Sequence, residues 1–169
     1  MSVFLGTHQN KLDAKGRVSI PAGFRAALRT RPDSADATVD PKLGDPKLGV
    51  PVQVVLRPSH KHACIEAWPL EAFAALAQPL DRLEIFSEEH DDLAAALYAD
   101  AYPTDADKEG RIVLPEILAQ HAGISDQVAF MGLGPIFQIW EPKAAESRRA
   151  EARARARGVS LPAARPGQP

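Results

Sequence analysis

DAKGRVSIP at residues 13–21 returns 94 positions later as DKEGRIVLP at residues 107–115. Asp13 matches Asp107, Gly16 matches Gly110, Arg17 matches Arg111 and Pro21 matches Pro115. Val18 and Ile20 meet Ile112 and Leu114, both apolar exchanges. Self-similarity at a fixed offset marks an internal repeat, and it decides how the rest of the chain is read. An aspartate three residues before a glycine predicts a tight turn. The carboxylate can bond its own backbone two residues on, and glycine supplies the left-handed conformation. The next four residues nearly alternate polar and apolar, which predicts a half-buried strand. Proline then ends the strand and suits the first turn of a helix. Arg17 and Arg111 directly follow their glycines, so each is expected at the mouth of a hairpin, on the face opposite Val18 and Ile112.

The repetition extends downstream. Each motif is followed by a helix-like stretch, GFRAALR at 23–29 and EILAQHAG at 116–123. Each copy then reaches a β-like segment opening on Gln-Val, at 53–56 and 127–132, and closes on a strand ending in tryptophan, at 64–69 and 137–142. Two copies of one β-turn-β-α-β-β unit predict an α+β fold with short peripheral helices. Arg17 to Trp68 spans 51 positions and Arg111 to Trp140 spans 29, so the first copy carries 22 more. The excess falls at about 30–51, which holds four prolines and a tandem DPKLG. Proline and glycine at that density break helix and sheet alike, which predicts a mobile surface loop. Two short helices are expected between the copies. One is PLEAFAALA at 69–77; the other is capped by Ser87, with Leu93, Ala96 and Leu97 on one face. Residues 143–157 read as an Arg/Ala-rich helix, and the tail from Gly158 as disordered.

Composition narrows the function classes. The chain has 169 residues, 45% hydrophobic and 25% charged, ordinary globular usage with room for a core. Its longest uncharged stretch, Gln127 to Trp140, contains Gly132, Gly134 and Pro135 and is shorter than the roughly 18 apolar residues of a spanning helix. MSVFLGTHQNK has no basic start and no apolar core, which predicts no signal peptide. Cys64 is the single cysteine, so no internal disulfide or zinc ribbon is expected. The simplest expectation is a soluble cytoplasmic protein. Residues 1–31 carry six Lys/Arg against Asp13, a net of +5. Residues 143–169 carry seven against Glu146 and Glu151, again +5, while residues 32–142 carry seven against nineteen, −12. Basic ends on an acidic middle predict an anionic partner met locally.

The paired DAKGRVSIP and DKEGRIVLP motifs, with the second copy closing on GLGPIFQIWEP, resemble the MraZ family over about residues 1–142. The resemblance implies two SpoVT–AbrB-type repeats, at 7–71 and 101–144, followed by the helix and tail at 145–169. It implies a pseudo-twofold swapped-hairpin or double-psi-like β-barrel made by both halves. It further implies a ring-shaped homo-oligomer and a nucleoid-associated regulator of the bacterial division and cell wall gene cluster, bound to double-stranded DNA at short G-rich direct repeats in the promoter. The family's DNA contacts lie in the Asp-x-Lys-Gly-Arg turn. Carried over, these are Lys15, Arg17 and Arg111, with Asp13, Gly16, Asp107 and Gly110 forming the turns. Glu109 stands where Lys15 does, and a carboxylate there repels phosphate, so the first hairpin is expected to be the main reader. The chemistry agrees. Arginine can fork to guanine O6 and N7, lysine suits phosphate, and a two-stranded ribbon fits a major groove.

Other patterns are weaker. A proton-sharing Asp13–Asp107 dyad would make an enzyme. Both aspartates instead sit beside cations, which depress a carboxylate's pKa, so no enzyme is expected. His60, His62 and Cys64 would share a face in a strand, but a hairpin loop with polar tips is the simpler expectation, and neither metal nor cofactor is predicted. The alternative from another class is an AbrB-like antitoxin or protein-interaction module. Salt separates the two, because phosphate binding weakens steeply with ionic strength.

Overall fold

The computed structural model describes residues 3–29 and 52–163. The first copy supplies β1 (Thr7–Lys11), β2 (Arg17–Ser19), α1 (Ala22–Arg29), β3 (Gln53–Pro58) and β4 (Ile65–Trp68). Between the copies lie α2 (Leu70–Ala77), a 3₁₀ turn (Gln78–Arg82) and α3 (Glu88–Ala94), which continues as a π-helical turn (Ala95–Ala99). The second copy supplies β5 (Tyr102–Asp105), β6 (Arg111–Val113), α4 (Glu116–His121), β7 (Gln127–Gly132) and β8 (Phe137–Trp140). The last helix is α5 (Pro142–Ala156). The fold is α+β with antiparallel strands throughout. No helix among the described residues is long and apolar enough to cross a membrane. The insert expected at about 30–51 lies outside the described residues.

The repeated motif does not fold back on itself as an isolated hairpin. The first strand of each copy pairs with the third strand of the other, β1 with β7 and β5 with β3. The second strands pair with each other, with Val18 opposite Ile112, Arg17 opposite Val113 and Ser19 opposite Arg111. A six-stranded sheet ordered β1-β7-β8-β4-β3-β5 results, together with a separate β2–β6 ribbon. Exchanging the copies turns this order into its own reverse, so the duplication in sequence is a pseudo-twofold axis in space. β3 and β7 share one burial pattern, four consecutive buried residues behind an exposed glutamine.

A closed barrel, as the family resemblance implies, is not seen. Among the described residues β1 and β5 are the two edges of the sheet, and β2–β6 stands apart from it. The physical reason is strand length. Each ribbon strand is three residues long, and the proline two positions after it offers no N–H to prolong a ladder. One further bond on each side, Ile20 N–H to Gly110 O and Leu114 N–H to Gly16 O, is all the extension it makes.

Val18, Ile20, Ile112 and Leu114 are buried under the ribbon, in one core with Phe4, Phe24, Phe130 and Phe137. Phe24 of α1 is the hub. Its ring centroid is 5.4 Å from that of Phe4 and 5.0 Å from that of Phe137. A second cluster gathers Cys64, Ala129, Met131, Trp140 and Ala145 beneath α5. Pro69 precedes α2, and the Ser87 hydroxyl caps α3 by accepting the His90 N–H at 3.1 Å, both as the sequence predicts. The apolar face expected on that helix does not reach the core, since α3 and its π-helical turn hold no buried residue.

Candidate nucleic-acid interface

The two turns share one set of backbone and aspartate hydrogen bonds. In the first, Asp13 N–H donates to Arg17 O at 2.9 Å and Gly16 N–H donates to Asp13 O at 3.1 Å. In the second, Asp107 N–H donates to Arg111 O at 2.9 Å and Gly110 N–H to Asp107 O at 3.0 Å. Gly16 at φ 76° and Gly110 at φ 77° hold the left-handed position that the motif requires. The aspartate does the rest. Asp13 Oδ1 accepts the Lys15 and Arg17 backbone N–H groups at 2.9 and 2.8 Å, and Oδ2 accepts Arg17 Nε–H at 2.8 Å. Asp107 repeats this with Glu109 and Arg111, at 2.9 Å in each of the three bonds. Both carboxyls are held below the usual carboxylate range, first by the backbone N–H of the arginine, then by its side chain. Charged carboxylates bonded to their own arginines do not share a proton, which removes the geometry a catalytic dyad needs.

Pairing residues share a face of a ribbon, so Arg17, Ser19, Arg111 and Val113 all face away from the buried Val18 and Ile112. Antiparallel pairing therefore places both arginines on one outer surface. The sequence anticipates that face but not their juxtaposition, which depends on a contact across 94 residues.

The two arginines differ in what remains free. Arg17 meets Asp13 through Nε only, leaving its terminal Nη groups without a hydrogen bond among the described residues. Arg111 meets Asp107 through Nε and also donates from Nη2 to Glu109, so a carboxylate occupies its outer edge. The Asp107 hydrogen bond raises its pKa further. Lys15 is exposed.

Arg25 is a neighbour of the second turn that the sequence comparison passed over. It rises from α1 over the second turn, donates from Nη1 to Glu109 O at 3.3 Å, and fills the space above Gly110. Its match in the second copy is Ala119, so nothing equivalent covers Gly16, whose nearest neighbour is Leu114 O. The first turn instead borders an open groove lined by Lys15, Leu114, Glu116, Ala119 and Gln120. That Arg-for-Ala mismatch between aligned helices was the available signal.

His60 and His62 fall in the loop joining β3 to β4, not on a strand, and the three residues serve separate ends. His60 Nε2 accepts from the buried Arg57, whose Nε lies 3.9 Å from Glu66. The His62 ring stands 5.6 Å from that of Trp140. Burial pushes the Cys64 thiol up to about 12.

Comparison with known proteins agrees with the motif. The family model described as "MraZ protein, putative antitoxin-like" matches residues 3–36 and 97–157, which include both turns. A protein of Gluconacetobacter diazotrophicus named "Transcriptional regulator MraZ" is 66% identical over 163 residues, covering 96% of this chain and 94% of its own. Its namesake in Gluconobacter oxydans is 59% identical over 160 residues, covering 95% and 88%. One from Rickettsia canadensis is 36% identical over 143 residues, covering 85% and 84%. With both turns inside the matched segments and relatives aligned along nearly the whole chain, the protein belongs to the MraZ family.

Proposed function

We propose that the protein is a transcriptional regulator that reads double-stranded DNA with the β2–β6 ribbon, led by the first turn. One observation carries the reading: Arg17 is fixed at Nε by Asp13 while its terminal Nη groups stay unbonded beside an exposed Lys15. A guanidinium held at its inner edge loses little freedom when its outer edge forks to guanine O6 and N7. Lys15 takes an adjacent phosphate, and the outer face of the ribbon enters a major groove. Arg111, closed off by Glu109, contributes less. The names of the relatives support regulation of transcription. The finer reading is binding to short G-rich direct repeats in the promoter of the division and cell wall gene cluster, in the cytoplasm and at the nucleoid. A single ribbon with two cations binds weakly. A homo-oligomer, as a ring, would repeat it along tandem sites and gain avidity without a new kind of contact. The pairing of β1 with β7 and of β5 with β3 supports a swapped-hairpin reading of the two copies, with β1 and β5 left as sheet edges.

Fluorescence anisotropy on a duplex from the region upstream of the gene tests this. Wild type is expected to bind with a steep salt dependence, and folded Arg17→Ala to lose specific binding. Equal affinity for that duplex and a scrambled one, or no effect of Arg17→Ala, would overturn it. Salt-insensitive capture of a protein partner in place of DNA would favour the interaction-module alternative.

A further inference from the structure

The segment between the copies forms an arm that its own chain leaves uncovered. α2 is anchored by buried Phe73 and Ala77, and the 3₁₀ turn by buried Leu80. Past Leu80, nothing up to Asp100 is buried. The arm is nevertheless apolar, with Ile85 70%, Phe86 93%, Leu93 45% and Tyr98 49% exposed. Phe86 is the single non-glycine residue at positive φ among the described residues, at 78°. Bulky side chains rarely adopt that conformation, and here it accompanies a ring held almost wholly in solvent. An acidic collar surrounds it: Glu84, Glu88, Glu89, Asp91 and Asp92. Of these only Asp91 has an ion-pair partner among the described residues, His90 on its own helix.

A surface of the opposite character lies under α5. A groove of about 420 Å³ runs between α5 and strands β1, β7 and β8, with Met131 and Leu133 on its floor. Arg148, Arg149 and Arg153 line its helix side, and none of them forms an ion pair among the described residues. An apolar projection with an acidic collar matches an apolar groove with a basic rim in both charge and hydrophobicity. The two are different surfaces of one chain, so they satisfy each other only between copies, head to tail. Such a contact closes into a ring when its rotation permits.

We propose that the Ile85–Phe86 tip and the acidic start of α3 of one copy dock into the arginine-rimmed groove beneath α5 of the next, and that this contact builds the homo-oligomer. The proposal rests on the reading above that the protein assembles. In a closed ring each copy makes the contact twice, once with its arm and once with its groove. It also gives the basic α5 a role apart from DNA.

Light scattering after size exclusion, at micromolar concentration, tests it on the full chain. Wild type is expected to be larger than a dimer. Phe86→Ser changes a side chain already in solvent, so it should leave circular dichroism unchanged and shift assembly at least tenfold towards monomer. Glu88→Lys/Glu89→Lys and Arg149→Glu/Arg153→Glu should each do the same alone. Mixed in equal amounts, those two variants should regain the wild-type mass, because each supplies the surface that the other has inverted. A monomeric wild type would overturn both this proposal and the assembly reading. An assembled wild type whose variants stay assembled would overturn the docking alone. So would folded variants that fall apart and fail to recombine. A groove variant that stays assembled but loses DNA affinity would assign the arginines to phosphate instead.

Discussion

Arg17 and Arg111 occupy equivalent positions in equivalent turns, yet their surroundings differ: a second carboxylate, Glu109, meets Arg111 and none meets Arg17 among the described residues. Arg17→Ala is expected to weaken specific binding by roughly 1–3 kcal/mol per engaged site, multiplied along a tandem operator. Arg111→Ala should cost less in DNA affinity, since Glu109 already occupies its outer edge. Anisotropy titrations of folded variants decide it, and the reverse ranking would assign the reading turn to the second copy. Lys15→Ala should weaken all duplexes alike and lower the salt slope by about 1. Asp13 and Asp107 carry a pH signature. Their folded pKa values lie below the ordinary one, so their contribution to turn stability is full above about pH 4 and disappears as pH falls through the lowered values. Carboxyl NMR titration should find both midpoints below the ordinary aspartate value; a midpoint at or above it would mean that the bonds to Arg17 and Arg111 do not hold in solution. Cys64 runs the other way. Burial raises its thiol to about 12, so it should resist thiol reagents at neutral pH until the protein unfolds, and immediate labelling would contradict its place under α5.

At the scale of elements, the β2–β6 ribbon is the smallest unit that includes both turns. Each of its strands finds its ladder partner in the other copy, so damage to one copy reaches both. Ile112→Ala removes a fully buried side chain beneath the ribbon and should cost about 2–5 kcal/mol in denaturant unfolding. Because Val18 lies opposite Ile112 in the ladder, it should also weaken DNA binding through Arg17, which lies on the other face of the ribbon. Unchanged affinity at matched folded fraction would show that the first turn stands alone. Gly132, at the end of β7, constrains the neighbouring element. A Cβ there would run into the Phe4–Leu5 backbone, so the N-terminal segment can lie across β7 only because that position has no side chain. Leu93, Ala96 and Leu97 share a face, but the face belongs to an arm outside the core, and periodicity reports a stripe without naming what covers it.

On the scale of the molecule, charge and symmetry act together. The basic ends and acidic middle of the chain resolve into a cationic first turn, an acidic arm and a basic final helix. Binding to DNA should therefore fall steeply between about 50 and 200 mM salt, by an amount that scales with the number of phosphates engaged. If the oligomer sets that number, dilution below its assembly threshold should flatten the salt slope as well as weaken affinity. A slope independent of assembly state would show that one copy makes all the contacts.

The sequence by itself determined the repeat, the turn chemistry, the strand–proline–helix punctuation and the identities of Asp13, Lys15, Arg17, Asp107 and Arg111. These are local matters: an aspartate reaches its own turn's amides, a glycine takes its own positive φ, and a proline ends its own strand whatever lies elsewhere. The exchange of first strands between copies, the meeting of both arginines on one face, the Arg25 guanidinium over Gly110 and the uncovered arm belong to the tertiary structure. Each of these depends on which distant segments pack together. Pairing across 94 residues is chosen by the burial of a shared core, in which Val18, Ile112 and Phe24 gain more from one another than either motif gains alone.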